Sequence, residues 1–281
     1  MNTYVLYNPE AGNKKGYENS LKLYDILRED HIIMQDVSKT DVASFIESLS
    51  DDERVILSGG DGTLNHFINS VGEEGLKREI YYYASGSGND FRADTQIKDE
   101  PFLLNKYLVN LPTVVVKNKK YKFINGIGYG IDGYCCEEGD RLRECGDGKI
   151  NYVAIAVKGL LFHYKPTSAQ ITVDGVSSHF KAVWLAPTMK GRYYGGGMLP
   201  TPNQNRFSQE HEVSLMVFHG GGKLKALSVF PSIFKGEHVK HSEMVKIFTG
   251  NRIKVEFDRL VPLQIDGETI SDVSEYEVTA E

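Results

Sequence analysis

The feature that most constrains the fold of this chain is an alternation of short apolar runs with helical stripes from residue 1 to residue 85. Val55-Ile56-Leu57 is typical of a strand, whereas Val42–Leu49 places apolar residues at i, i+3, i+4 and i+7, the spacing of one helix face. Strands that alternate with helices indicate βαβ units, which build parallel sheets. We therefore predict an α/β N-terminal domain, a parallel sheet with flanking helices.

Beyond about residue 111 the pattern changes to successive strands. The strand-like segments are 114–116, 121–124, 171–173, 180–185, 213–218, 245–248, 253–257, 263–265 and 276–278. Two helical stretches, roughly 149–162 and 223–234, interrupt them. We predict a mainly antiparallel β C-terminal domain, and we place the two domains at 1–120 and 121–281.

The charge balance and the apolar runs exclude several classes of protein. Lys and Arg total 32 against 38 Asp and Glu, a net charge of −6 that argues against a nucleic-acid partner. No apolar run approaches the ~20 residues that a membrane helix needs. The first residues do not show the pattern of a secretory signal, so we expect none, and three clustered cysteines suit a reducing compartment. We expect a cytoplasmic protein whose contact with the inner face of the membrane is at most peripheral, and we keep a homodimer open.

The strongest local signal is the segment 58–65, Ser-Gly-Gly-Asp-Gly-Thr-Leu-Asn, between a strand and a helix. Glycines let the backbone approach a ligand, and the free N–H groups and dipole of a helix start attract anions. Asp61 would hold Mg²⁺ or orient an amide there. The alternative is a tight strand–helix turn with Asp61 or Thr63 as N-cap.

Two further polar loops follow predicted strands. These are 84–91, Ala-Ser-Gly-Ser-Gly-Asn-Asp-Phe, and 8–12, Asn-Pro-Glu-Ala-Gly. The loops at the carboxyl ends of parallel strands line one crevice. We therefore expect all three loops to lie together at one edge of the N-terminal sheet.

In this order and spacing, the motifs NPEAG, GGDGTLN and GSGNDF resemble the diacylglycerol kinase catalytic domain family. That family includes bacterial diacylglycerol kinases, YegS-like lipid kinases, sphingosine kinases and ceramide kinases. The resemblance continues in the second half, at 125–132, at the GGGM turn 195–198 and at the LQIDGE segment 263–268. It covers nearly the whole chain.

The resemblance implies an NAD kinase/phosphofructokinase-like N-terminal domain, ATP in an interdomain cleft, and Mg²⁺-dependent transfer of the γ-phosphate to a lipid hydroxyl. Diacylglycerol, converted to phosphatidic acid, is the acceptor it favours. It implies Glu268 as proton acceptor, Asp61 as a further catalytic residue, Asp61 and Asp90 near Mg²⁺, and Asp90 and Asp132 at the substrate. The nucleotide contacts that it implies are Asn8, Ser38, Gly59, Gly60, Asp61, Gly62, Thr63, Asn65, Ser87 and Asn89.

Chemistry gives independent support for the role of Glu268. Phosphoryl transfer to a hydroxyl needs positioning, cations at the phosphates and a carboxylate that accepts the proton. The alternative for Asp266-Gly267-Glu268 is a plain hairpin turn, because Asp-Gly is common in such turns. At the level of function, a kinase of a soluble hydroxyl compound and a nucleotide-binding regulator with little turnover stay open.

Two segments depart from the family pattern or have a second explanation. Members of the family often hold a structural Mg²⁺ through an Asp-Gly pair, but the matching segment here, 209–213, reads Gln-Glu-His-Glu-Val. We expect no tightly held Mg²⁺ there. The cluster of Lys117, Lys119, Lys120 and Lys122 could contact anionic headgroups, or it could be a solvated hairpin tip.

Overall fold

The chain divides into two compact units, Met1–Val109 and Asn110–Glu281. The computed structural model describes residues 1–72, 77–145 and 150–280. The predicted boundary at residue 120 falls inside a hairpin, whose strands β6 (Thr113–Val116) and β7 (Lys119–Lys122) pair with each other. Because β6 also pairs with the last strand of the chain, the hairpin belongs to the second unit. The boundary therefore lies about ten residues earlier than the strand pattern suggested.

The N-terminal unit is built on a five-stranded sheet with the order β2-β1-β3-β4-β5. The strands are β1 (Asn2–Tyr7), β2 (His31–Asp36), β3 (Arg54–Gly59), β4 (Ile80–Ala84) and β5 (Phe102–Leu103). The first four are parallel, as predicted, and β5 adds an antiparallel edge. The centre of β3 is buried, which explains its continuous apolar run.

The helices of this unit connect the strands. They are α1 (Ala11–Lys14), α2 (Gly16–Ser20), α3 (Leu23–Ile26), α4 (Val42–Ser48), α5 (Asp61–Val71) and α6 (Asp90–Thr95). The stripe at Leu64, Phe67, Ile68 and Val71 is buried, so α5 presents its predicted apolar face to the core.

The C-terminal unit is an antiparallel ten-stranded sheet that closes on itself. Besides β6 and β7, its strands are β8 (Gly126–Tyr129), β9 (Thr167–Val173), β10 (Val176–Leu185), β11 (Thr188–Met189), β12 (Val213–His219), β13 (Val245–Gly250), β14 (Arg252–Ile265) and β15 (Glu268–Thr279). Strand β14 pairs with β15, β8 and β9, and the path from β8 through β11, β12 and β10 returns to β9. An apolar core that includes Val183, Leu215, Val255 and Leu263 fills the closed sheet.

Three α-helices within the described residues pack on this sheet, and two of them correspond to the predicted helical stretches 149–162 and 223–234. They are α7 (Ile131–Glu144), α8 (Tyr152–Lys158, continued by a π-helical turn at Gly159–His163) and α9 (Lys223–Val229). Lys149, the first residue of the predicted stretch 149–162, lies outside the described residues.

The buried face of α7 combines the apolar residues Ile131 and Cys135 with a carboxylate, Asp132, and two glycines. A Cβ on Gly133 would lie 1.9 Å from the carbonyl oxygen of Pro262, so α7 approaches β14 closely at this glycine.

Candidate functional site

The loops after β3 and β4 pack directly against each other. The carbonyl oxygen of Gly59 accepts hydrogen bonds from the backbone N–H groups of Ser85 (3.0 Å) and Gly86 (3.2 Å). A Cβ on Gly86 would lie 2.4 Å from the Cα of Gly60, a distance that real Cβ atoms do not show. Glycine is therefore required here by the approach of two backbones, and the loops form one surface.

The loop after β1 joins the same surface. Asn8 Nδ2 donates to Thr63 Oγ1 at 2.9 Å, and Asn19 Nδ2 donates to the carbonyl oxygen of Ser85 at 3.0 Å. A Cβ on Gly12, at φ +60°, would lie 2.8 Å from that same carbonyl oxygen. The expected meeting of three loops at the carboxyl edge of the parallel strands is therefore found.

The carboxylate of Asp61 accepts hydrogen bonds from the neighbouring loop. Its two oxygens accept the backbone N–H groups of Asp90 and Phe91, each at 2.9 Å, and so cap the start of α6. Gly60, and neither Asp61 nor Thr63, is the N-cap of α5. Of the explanations for Asp61, the orientation of an amide is the one that the contacts match, and its part near Mg²⁺ stays a prediction.

The start of α5 provides donors for an anion. The first N–H groups of an α-helix have no partner within it, and they lie at the positive end of its dipole. Gly62 is the second residue of this eleven-residue helix. Asn65 is buried, and its carbonyl oxygen accepts from Asn69 Nδ2, so this residue faces the protein.

Asn89 provides an acceptor beside these donors. It has a left-handed backbone, with φ 51°, and its Nδ2 donates to the carbonyl oxygen of Gly86 at 2.9 Å. Its Oδ1 is buried and has no hydrogen-bond partner within the described part of the chain. A buried acceptor without a donor is costly, so Asn89 favours a ligand or a water that donates to it.

Two predicted contact residues are exposed at the same edge of the sheet. Ser87 lies in the loop after β4 with its side chain exposed. Ser38 follows β2, and its hydroxyl donates to Asp36 Oδ1 at 2.7 Å. Its oxygen therefore retains acceptor capacity toward solvent.

The Asp-Gly-Glu segment of the C-terminal unit forms a two-residue hairpin between β14 and β15. Asp266 and Gly267 have φ values of 48° and 99°, the left-handed pair of a type I′ turn, so the hairpin explanation is right for its backbone. The buried carboxylate of Asp266 accepts three backbone N–H groups, from Ile124 (2.7 Å), Asn125 (2.9 Å) and Gly126 (2.9 Å). Asp266 thus fastens the hairpin to the segment before β8.

Glu268 begins β15 with an exposed side chain. Its carboxylate makes no hydrogen bond or ion pair with another described residue, whereas its neighbour Thr269 donates to Asp140 Oδ2 at 2.7 Å. The hairpin therefore presents the carboxylate of Glu268 without a hydrogen bond or ion pair to another described residue.

Asp132 is a buried carboxylate connected to this hairpin. Gln264 Nε2 donates to Asp132 Oδ2 at 2.8 Å, and Gln264 Oε1 accepts the N–H of Gly267 at 2.6 Å. Burial raises the pKa of Asp132 to about 6, and the hydrogen bond from Gln264 opposes that rise. A Cβ on Gly128 would lie 1.5 Å from Asp132 Oδ2, so that glycine makes room for the carboxylate.

Gln264 was missed as a site residue by the sequence pattern. It alternates with the apolar Leu263 and Ile265 and would be expected to face solvent, yet it is 2% exposed. Because helix α7 covers that face of the sheet, the polar side chain is buried against Asp132.

The GGGM turn lies beside Asp132. Gly195, Gly196 and Gly197 have φ values of 61°, 80° and 106°, which explains the run of glycines. A Cβ on Gly195 would lie 3.7 Å from Asp132 Oδ1. The hydroxyl of Tyr194 is buried without a partner among the described residues, and burial, with the charge of Asp132, raises its pKa.

The segment 209–213 does not fit a metal ion. Its carbonyl oxygens already accept side-chain donors: that of residue 210 from Asn251 Nδ2 (2.6 Å), that of residue 211 from Lys190 Nζ (3.4 Å) and that of residue 212 from Gln204 Nε2 (3.0 Å). Burial, with the nearby charge of Arg206, lowers the pKa of Lys190 to about 8. Two buried cations repel a third, and within the described ranges no three His, Cys, Asp or Glu side chains group as metal ligands.

Comparisons with known proteins agree with the division of the chain into two units. The model of the diacylglycerol kinase catalytic domain matches residues 2–110, and that of the YegS C-terminal NAD kinase beta sandwich-like domain matches residues 125–279. A diacylglycerol kinase of Mycobacterium tuberculosis is 24% identical over 201 residues, which are 68% of this chain and 63% of that protein. The match thus spans less than two thirds of that relative.

Two further relatives extend the comparison. Bacillus subtilis YtlR, named provisionally as a lipid kinase, is 24% identical over 242 residues, 77% of this chain and 74% of that protein. A Bacillus anthracis protein, assigned provisionally as a diacylglycerol kinase, has a crystal structure that superposes with a TM-score of 0.67 at 17% identity, over 99% of this chain and 91% of that one. At that identity the superposition establishes the fold alone.

None of the helices that the structure describes is both long enough and apolar enough to cross a membrane.

The YegS-type model alone matches more than half of the 281 residues, and the catalytic-domain model matches most of the remainder. The chain therefore belongs to the diacylglycerol kinase-like family, in which a diacylglycerol kinase catalytic domain is followed by a YegS-type C-terminal domain.

Proposed function

We propose that this protein is an ATP- and Mg²⁺-dependent lipid kinase that converts diacylglycerol to phosphatidic acid. Its membership of a kinase family supports phosphoryl transfer. The observation that carries the proposal is that each unit has one suitable feature: a glycine-lined loop edge at the start of α5 in the first, and an exposed carboxylate, Glu268, on a hairpin in the second.

The loop edge is proposed to bind the nucleotide phosphates. The N–H groups at the start of α5 point at the anion, and the close packing of Gly60 and Gly86 leaves no side chain in the way. Asn8 orients Thr63, and Asn89 Oδ1 accepts a hydrogen bond from the ligand or its water. Asp61 keeps the two loops in register through its two amide contacts.

Asp61 and Asp90 are proposed to lie next to the metal that accompanies ATP. Mg²⁺ is commonly held by one or two carboxylates together with substrate phosphates and waters, so a complete protein cage is not required. The Asp61 carboxylate accepts the backbone N–H of Asp90, so both residues lie at the nucleotide loops, which fits a metal that arrives with the phosphates. When bound, Mg²⁺ neutralises charge on the phosphate oxygens.

Glu268 is proposed to accept the proton of the lipid hydroxyl. The hydroxyl oxygen bonds to the γ-phosphorus, the bond from that phosphorus to the bridging oxygen of ADP breaks, and the hydroxyl proton passes to the carboxylate. Glu268 suits this role because no other described residue uses its oxygens. Asp132 and Asp90 are proposed to contact the acceptor.

The test is transfer from γ-labelled ATP to a panel of acceptors: diacylglycerol, sphingosine, ceramide, phosphatidylglycerol and NAD. We expect label in the organic phase with diacylglycerol. Label on NAD alone would identify a kinase of a soluble compound. Nucleotide binding without transfer to any acceptor would identify a regulator, and either result would overturn the proposal.

A further inference from the structure

Three large apolar side chains of the C-terminal unit are exposed to solvent. Phe162 is 72% exposed, Leu224 is 79% exposed and Leu260 is 58% exposed. They lie on the π-helical turn after α8, at the start of α9 and within β14. Isolated exposed apolar residues are common, so their significance depends on whether these segments meet.

Hydrogen bonds join the three segments. Lys223 Nζ donates to the carbonyl oxygen of Leu161 at 2.8 Å, which places the start of α9 beside the π-helical turn. Arg259 donates to the carbonyl oxygen of Lys165, and its guanidinium lies 5.5 Å from the ring centroid of Tyr164. Each exposed apolar residue is therefore within a few residues of a contact to the segment 161–165.

Basic side chains surround this cluster. Lys158 lies one turn before Phe162 and is exposed, as are Lys165 and Lys223. Of the acidic groups nearby, Glu138 pairs with Arg141 at 2.7 Å and Glu243 pairs with Lys225 at 3.0 Å. The exposed Asp258 accepts the backbone N–H of Ser168 at 3.0 Å, and Arg259 adds a further positive charge beside it. The local charge is therefore positive on a protein whose net charge is −6.

We propose that Phe162, Leu224 and Leu260, with Lys158, Lys165 and Lys223, form a docking surface for an anionic lipid bilayer. Apolar side chains ringed by lysines favour the headgroup boundary of a membrane, where the rings and methyl groups enter the acyl region and the cations remain among the phosphates. The choice of a bilayer as occupant rests on the proposed lipid acceptor and on the positive charge. A second copy of this chain would bring like charges together.

The basic hairpin of β6 and β7 is a weaker candidate for the same role. Its lysines at positions 117, 119 and 120 are exposed, but β7 is an edge strand, where lysine commonly prevents unwanted strand pairing. Val115, at 37%, is the one exposed large apolar side chain in β6 and β7.

The test is sedimentation with vesicles of phosphatidylcholine and phosphatidylglycerol, without ATP and without any acceptor lipid. We expect Phe162→Ser/Leu224→Ser to lower the partition coefficient at least about 10-fold, because the inserted apolar area is lost. Val176→Ser is the matched control, since Val176 is 73% exposed on the hairpin between β9 and β10. We expect the control and Lys119→Ala/Lys120→Ala to bind as the unmodified protein does.

A charge-reversal variant, Lys158→Glu/Lys165→Glu, separates the electrostatic part. We expect it to bind phosphatidylglycerol vesicles more weakly, and we expect the binding that remains to depend less on salt. Unchanged partition of the Phe162→Ser/Leu224→Ser variant, or a change only in its oligomeric state by light scattering, would overturn the docking surface.

Activity with a short-chain, water-soluble diacylglycerol distinguishes the two proposals. We expect the Phe162→Ser/Leu224→Ser variant to retain it. If the unmodified protein phosphorylates no lipid yet binds vesicles through these residues, the proposed function fails and the docking surface stands.

Discussion

The loop edge of the N-terminal unit and the hairpin of the C-terminal unit use their motif aspartates in the same way. Asp61 of GGDG accepts two backbone N–H groups, and Asp266 of DGE accepts three. In both motifs the aspartate fastens one piece of backbone to another. The difference lies in which groups predominate beside each aspartate: backbone N–H groups and neutral polar side chains at the loop edge, and the carboxylates of Glu268 and Asp132 at the hairpin.

This comparison suggests that the loop edge and the hairpin have different chemical roles. The loop edge is suited to binding an anion, because donors and a helix start predominate there. The hairpin is suited to proton transfer, because it presents the carboxylate of Glu268, which makes no hydrogen bond or ion pair with another described residue. Variants that separate binding, turnover and stability therefore test the comparison directly.

The largest effect is expected from Glu268→Gln. Gln preserves the shape but cannot hold the proton, so kcat should fall by at least ~10²-fold, while the Kd of the nucleotide should barely change. Single-turnover rates beside nucleotide binding measure both. Glu275→Gln, an exposed position on the same strand, is the control. Near-normal turnover of Glu268→Gln on the true acceptor would place the base elsewhere, with Asp61 or Asp90 as the next candidates.

Asp266→Asn should reduce stability. Asn keeps one accepting oxygen and turns an NH₂ toward the N–H of Ile124, so the free energy of unfolding should fall by about 2–3 kcal/mol. Denaturant unfolding measures it, with Asp272→Asn on β15 as an exposed control that should change little. Equal stability of the two variants would mean that the three amide contacts are not what holds the hairpin.

Asp61→Asn should affect nucleotide binding as well as stability. The variant loses one of two acceptors that hold Asp90 and Phe91, so we expect a loss of about 1–2 kcal/mol in stability and a nucleotide Kd weakened about 10-fold. Calorimetric titration and thermal unfolding check this, with the exposed Asp51→Asn as control. Lost turnover with unchanged nucleotide affinity would instead assign Asp61 a purely catalytic role.

Asp132→Asn should change the pH dependence of stability. Because the folded pKa of about 6 is above the ordinary value of 3.8, the folded state binds the proton more tightly, and stability falls as pH rises from about 4 to about 6. Asn can still accept from Gln264 but carries no charge. The variant should therefore gain in Tm relative to the unmodified protein as pH rises through this window, and parallel Tm curves would contradict the raised pKa.

The smallest effect is expected at the segment 209–213. Because protein donors satisfy its carbonyl oxygens, a chelator should leave the Tm of the nucleotide-free protein unchanged. The folded pKa of Lys190, about 8, is below the ordinary 10.5, so stability should rise with pH between about 8 and about 10, and Lys190→Met should abolish that rise. The exposed Lys181→Met is the control. A Tm lowered by the chelator would show that a metal is held after all.

Much of this molecule follows from local patterns in the sequence. The parallel sheet was predictable because buried parallel strands are continuous apolar runs and their helices show a one-sided stripe. The three glycine loops were predictable because parallel strands bring their carboxyl ends to one edge. The hairpin at Asp266-Gly267 was predictable because few residues tolerate two consecutive left-handed conformations.

Contacts between distant segments were decided by the tertiary structure. Helix α7 buries Asp132 and two glycines together with Ile131 and Cys135, because this face packs closely against β14. The connection from Asp132 through Gln264 to Gly267 joins positions more than a hundred residues apart, and no local period encodes it. Sequence alone identified Asp61 and the segment 263–268, which contains Asp266. Only the fold assigns them to backbone amides, because hydrogen-bond partners depend on which chain segments meet in space.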